Sequence, residues 1–326
     1  MSSIRFSRPR YRHGLVIFGV LAALAIADAR GHTSNPDGSE SASAAYAPLE
    51  ILPSGHPVAE IRLDGLAPKR FVIDTAASMT TIAPRLRAEM PNLAAKKAAT
   101  PLNGASGAVD VELAPVRRIE TAGLLFENKE LLLLPPGPVD NLGVDGILGA
   151  DLIADYAIEM NLPARKWRMA KQADPSMLAG YAAQLPFTLD AQRAPRLTIK
   201  VNGIEVPAVL DTGARGTILN WAAARSIGIT PEDPGLLKGS DVKGASSHGT
   251  ASYKVKLRDI AIGDEILPGR EVRIADLSVF DVLGYKKGEP AIILGIDFFA
   301  DRRILIDHPA LRLHISPPIS TANTPR

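Results

Sequence analysis

Val206-Pro207-Ala208-Val209-Leu210-Asp211-Thr212-Gly213-Ala214 is the stretch that decides the reading of this chain. An apolar run of strand character ends on a carboxylate, which is followed by a hydroxyl and two small residues. Taken alone, such an aspartate is a turn or cap residue. Its meaning comes from a counterpart 137 residues upstream (211 − 74), Phe71-Val72-Ile73-Asp74-Thr75-Ala76, where alanine stands in the glycine's place. Two strand-borne aspartates, each followed by threonine, predict a site assembled from two copies of one unit.

The parallel extends outward from both aspartates. Upstream, Ala59-Glu60-Ile61-Arg62-Leu63 with the turn Asp64-Gly65 matches Leu197-Thr198-Ile199-Lys200-Val201 with Asn202-Gly203, and each reads as a hairpin leading into its aspartate. Downstream, short helices are expected over 84–90 and 221–227. Gly104-Ala105-Ser106 then recurs as Gly244-Ala245-Ser246, and Gly146-Ile147-Leu148-Gly149-Ala150-Asp151 as Ile293-Leu294-Gly295-Ile296-Asp297. The offset grows to 146 at the later glycines (295 − 149), which predicts one net insertion of nine residues around the middle hairpin. Ordered matches over such a length are an internal duplication. Asp151 and Asp297 fall where helices start and are expected to cap them.

Composition bounds the remainder. The chain has 326 residues, 46% hydrophobic and 22% charged, with a formal net charge of +2 and no cysteine. That is a globular composition with room for two cored halves, and it excludes thiol catalysis and disulfides. No basic run is interleaved with aromatics, so no nucleic-acid partner is expected. Residues 1–29 have the layout of a secretory signal peptide: arginines through Arg12, an apolar stretch over 15–27, then small residues. Residues 30–47 read as a flexible linker, 48–170 as the first half, 171–184 as a helix-compatible connection, 185–315 as the second half and 316–326 as a disordered tail. The expected setting is therefore outside the cytoplasm, the periplasm ahead of secretion or an N-terminal anchor, with no membrane span after processing.

The chemistry follows from pairing Asp74 with Asp211. Two carboxyls held about 3 Å apart cannot both ionise and share one proton. One is then a general base for water while the other donates to an amide carbonyl, so neither metal nor cofactor is called for. Thr75 and Thr212 can bond backbone across the interface, and small residues at Ala76 and Gly213 let amide groups reach the carboxylates. Competing motifs are missing: no Gly-x-Ser-x-Gly elbow, no His-Glu-x-x-His, and no Lys-Ser/Thr after the glycine-rich 143–149.

In these motifs the chain resembles an aspartic peptidase of the retropepsin/pepsin superfamily, in a bacterial single-chain form with two retropepsin-like copies. Asp211-Thr212-Gly213-Ala214 matches the signature, and Ile147-Leu148-Gly149 and Ile293-Leu294-Gly295 match the elements that thread a ψ-shaped loop beside each aspartate. The resemblance spans roughly 50–315. It implies a mostly β, bilobal fold of two tandem β-barrel copies with short helices. It also implies flap-like hairpins near 104–111 and 244–253, and a peptide or protein substrate in the cleft. Asp74 and Asp211 are then the catalytic pair of a monomeric endopeptidase working at acidic to mildly acidic pH. Ala76 departs from the pattern, since its Cβ would crowd the dyad or strain its loop. It motivates the rival reading, a peptide-binding protein that kept the fold without turnover. A second rival is an enzyme that needs a partner or removal of 30–50.

Overall fold

A computed structural model describes residues 21–22, 44–99, 102–104, 107–243 and 249–320. The rest of the leader, most of the linker, the tips of both flap-like hairpins and the end of the tail lie outside the described residues. Among those described, no helix is long and apolar enough to cross a membrane.

Each half is a mostly β, barrel-like sheet built from the hairpins legible in the sequence. Strand Pro57–Leu63 buries Ala59, Ile61 and Leu63 and exposes Glu60 and Arg62. Strand Pro195–Val201 buries Leu197, Ile199 and Val201 and exposes Thr198 and Lys200. The period of two puts one face into the core. Both turns have the left-handed backbone that Asp-Gly and Asn-Gly favour, with φ of 45° and 81° at Asp64 and Gly65, and 51° and 87° at Asn202 and Gly203.

What positions the site is the threading of a third strand. Gly146–Leu148 pairs in parallel with Lys69–Ile73, the strand that ends before Asp74, and antiparallel with Thr81–Ile82, which follows the aspartate loop. Ile292–Gly295 does the same between Ile204–Asp211 and Ile218–Leu219, bringing Gly295 level with Asp211. Each aspartate loop is thus pinned on both sides by one buried Ile-Leu-Gly strand.

The halves are joined by a continuous run of six strands. It passes from Ala183–Pro186 through Arg312–Ile315, Arg303–Asp307, Ala157–Asn161 and Lys166–Ala170 to Ala47–Ile51. At its centre Ala157–Asn161 of the first half pairs antiparallel with Arg303–Asp307 of the second, Ile158 opposite Ile306. Buried Glu159 accepts from Arg168 on its own sheet, from Tyr181 just ahead of Ala183–Pro186 and from Tyr46 just ahead of Ala47–Ile51, satisfying a carboxylate that water does not reach.

The short helices form at Pro84–Glu89 and Trp221–Ser226, close to expectation. Two sequence readings are corrected. The insertion between copies is split: the long hairpin Glu112–Thr121/Leu124–Leu133 recurs at a constant offset of 141 (253 − 112) as four shorter strands over 253–274. Four of the nine residues therefore precede it and five follow. The stretch 171–184 is helical only at Pro175–Leu178, started by the Asp174 side chain accepting from Ser176 and Met177 N–H. Its end instead pairs with Arg312–Ile315, because sheet pairing satisfies more backbone there than another helical turn would.

Candidate active site

Asp74, directly after its strand, and Asp211, at the end of its own, lie side by side at the junction of the halves, and both are fully buried. The threonines lock this junction reciprocally. Thr75 Oγ1 donates to Leu210 O at 2.7 Å and Thr212 Oγ1 to Ile73 O at 2.8 Å. Each hydroxyl also accepts the other threonine's backbone N–H, at 3.1 and 3.2 Å. Four buried hydrogen bonds thus cross between the copies through two residues, and each satisfies a group that water cannot reach.

Backbone amides hold one oxygen of each carboxylate. Asp74 Oδ1 accepts from Ala76 and Ala77 N–H, both at 2.9 Å, and Asp211 Oδ1 accepts from Ala214 N–H at 2.8 Å. The second oxygens, Asp74 Oδ2 and Asp211 Oδ2, are buried and have no hydrogen-bond partner among the described residues. Two neighbouring buried carboxyls, each with an unsatisfied oxygen, are stable only if a proton or a reacting molecule satisfies those oxygens.

A family model described as Aspartyl protease matches the chain twice, at residues 59–152 and 197–298. The chain belongs to the aspartyl protease family. No curated protein matches it significantly. The two matches coincide with the duplicated halves, and each contains one aspartate loop and its threading strand.

Electrostatics set this aspartyl-protease pair apart from ordinary carboxylates. Burial, then the charge of Asp211, raises the Asp74 carboxyl well above the usual range. Burial pushes Asp211 up to about 7, against the opposing pull of the Ala214 amide and Asp74. Together the pair retains a proton well above the pH at which a free aspartate has lost its own.

The third motif positions are asymmetric. A Cβ on Gly213 would lie 2.3 Å from Asp74 Oδ2, so glycine is required there by close approach. Its backbone is not left-handed, so close approach and not an unusual dihedral is what requires glycine. Ala76 is not left-handed either, and the strain expected at its loop is not found. Its methyl is buried in an apolar cluster otherwise made of second-half residues, including Val209, Ala291 and Ile293. The residue that was expected to crowd the dyad therefore packs across the interface and still donates its N–H to Asp74.

Asp151 and Asp297 do not cap their helices, whose first positions follow Gly149 and Gly295 without side-chain caps. They brace the aspartate loops instead. Asp151 Oδ1 accepts from Thr80 N–H and Oγ1, both at 2.7 Å, and Asp297 Oδ1 accepts from Thr217 Oγ1 at 2.9 Å. Each threonine in turn accepts from the Gly149 or Gly295 N–H. Burial raises the Asp151 carboxyl to about 6 and raises Asp297 in the same direction. The signal was present in the sequence, since Thr80 and Thr217 each lie six residues after an aspartate of the dyad.

The flap-like hairpins form as Leu102–Gly104/Gly107–Val109 and Val242–Lys243/Gly249–Thr250. The backbone of Leu102–Gly104 runs beside helix Val279–Val282 of the second half, so the first hairpin reaches across the junction. Strand Leu21–Ala22 pairs with the same hairpin. Among the described residues no group of three or more His, Asp or Glu is placed to hold a metal.

Proposed function

We propose that this aspartyl-protease-family protein is an endopeptidase in which Asp74 and Asp211 jointly activate water. The observation that carries the reading is a pair of neighbouring buried aspartates, one on each copy, each with an Oδ2 that has no hydrogen-bond partner among the described residues. With one proton shared between them, the ionised carboxyl takes a proton from water as its oxygen bonds to the peptide carbonyl carbon. The protonated carboxyl gives its proton to the carbonyl oxygen. When the tetrahedral intermediate collapses, the C–N bond breaks, the amine leaves with a proton from one carboxyl, and a hydroxyl of the gem-diol returns its proton to the other as the C=O re-forms, restoring the one-proton state. The amides of Ala76, Ala77 and Ala214 and the threonine lock keep the carboxyls in register throughout, which is where preorganisation lowers the barrier.

The same reading has the chain act alone as a monomer, because one polypeptide supplies both aspartates. It also places the protein outside the cytoplasm, in the periplasm by preference, on the leader-like composition of residues 1–29. The test is cleavage of a mixed peptide library at several pH values by the wild type, Asp74→Asn and Asp211→Asn, with and without pepstatin. Cleavage abolished by either substitution is expected. Cleavage that survives both would refute the dyad, and a wild type that binds peptides without cutting them would establish the binding-protein reading.

A further inference from the structure

Four residues after Asp211, and directly after the Ala214 whose amide holds it, stands Arg215. Two adjoining cavities, of about 500 and 320 Å³, share its side chain and Asp297 as walls and open along the seam between the halves. The first half contributes Ser54 and Gly55, and a Cβ built on Gly55 would lie 3.9 Å from Arg215 Cβ.

Arg215 is half-buried and has no hydrogen bond or ion pair among the described residues. Its cationic neighbours are otherwise occupied or add to the same charge. Arg273 donates to Ser240 and Ser252, and Arg270 to the backbone of Asp297 with Asp301 at 3.6 Å. Exposed Arg165 has no carboxylate partner among the described residues. The acids of these walls are engaged: Glu271 pairs with Lys254 at 2.5 Å, and Asp297 accepts from Thr217. Burial lowers the pKa of Arg215, and burial followed by the nearby Arg215 charge lowers that of Arg273. A desolvated guanidinium without a counter-charge is costly, and an arriving anion offsets that cost.

The remaining walls decide which anion fits. Ile51, Leu162, Pro163, Ile296 and Ala300 line the larger cavity beside the guanidinium. A small inorganic ion would leave this apolar surface uncovered, whereas a peptide carboxylate next to an apolar side chain would use both, with the planar fork of arginine matching the two carboxylate oxygens.

We propose that Arg215 and the cavities it divides bind a carboxylate on the substrate peptide, beside an apolar residue, at a fixed distance from the bond presented to Asp74 and Asp211. The inference rests on the peptidase reading for its substrate class, but binding tests it without turnover. Fluorescein-labelled nonapeptides carrying one Glu, moved stepwise through an otherwise neutral apolar-rich sequence, are titrated into the Asp74→Asn protein, each against its Gln control. C-terminally amidated and free-acid versions separate a side-chain carboxylate from a chain terminus, and inorganic phosphate serves as competitor.

One position, or the free terminus, is expected to bind at least about tenfold tighter in its carboxylate form, close to the value of one charge-assisted contact. In Arg215→Met carrying the same Asp74→Asn change, that advantage is lost, while the unfolding midpoint shows the protein folded. Equal binding of Glu and Gln peptides at every position, an advantage that survives Arg215→Met, or phosphate competing at the peptide's own affinity would overturn the proposal. A carboxylate preference in a protein whose wild type cuts nothing would leave this site standing and remove the peptidase reading.

Discussion

Replacing Gly213 by alanine tests how closely the two loops must approach. The added Cβ would meet Asp74 Oδ2 at 2.3 Å and Asp74 Cγ at 2.4 Å, where ordinary contact begins at 3.4 Å. The Asp74 carboxyl must therefore retreat by roughly 1 Å, a repulsion that no side-chain rotamer of alanine relieves. Retreat is resisted, because Asp74 Oδ1 is held by two amides and Thr75 is locked to Thr212 and Leu210. A 1 Å misplacement of a reacting group costs on the order of 100-fold in rate, or about 2.7 kcal/mol of transition-state stabilisation. Overpacking of the buried junction adds about 1–3 kcal/mol of lost stability. The assay is kcat/KM on a peptide selected from the library, with urea unfolding in parallel. Ala76→Gly is the control: it removes a methyl from the second-half cluster, lowering stability by about 1 kcal/mol and changing kcat/KM less than Gly213→Ala does. If Gly213→Ala cleaves within threefold of wild type at an unchanged unfolding midpoint, the close approach does not set the dyad geometry.

Thr212→Val removes the donor to Ile73 O and the acceptor of Thr75 N–H, so a loss of about 2–5 kcal/mol is expected in urea unfolding, with most of it restored by Thr212→Ser; equal effects of Val and Ser would show that the hydroxyl is not what holds the halves. Because both dyad carboxyls are raised, Asp211 to about 7, the one-proton window lies above the ordinary carboxylate range, and kcat/KM should persist at neutral pH, beyond the acidic range that the motifs alone suggest. A profile that collapses above pH 5 would contradict it. Asp151 has a folded pKa near 6, above its unfolded value, so between about pH 4 and 6 the folded state binds more protons and stability falls as pH rises, by up to about 3 kcal/mol. Asp151→Asn should flatten that part of the stability–pH curve, and an unchanged curve would mean that this carboxyl does not carry the shift.

Much of the site was legible because it is local and repeated. The Asp-Thr pairs, the Asp-Gly and Asn-Gly turns and the two Ile-Leu-Gly strands are each set by a few adjacent residues, and duplication supplied a second reading of each. The roles of Asp151 and Asp297 were misread because an aspartate near a helix start has a local explanation, whereas its partners, Thr80 and Thr217, arrive from 71 and 80 residues away. Ala76 was misjudged for a related reason: whether a methyl crowds or packs depends on what faces it, and what faces it belongs to the other copy.

The sequence by itself determined that two like units would each offer a strand-borne carboxylate, since period-two burial, turn chemistry and internal repetition act over neighbouring residues. Only the tertiary structure decided how the carboxyls meet, which oxygens stay unpartnered, why Gly213 admits no Cβ while Ala76 does, and that Arg215 lacks a counter-charge. Those are properties of distance and desolvation, which arise when residues far apart in the chain exclude water from one another.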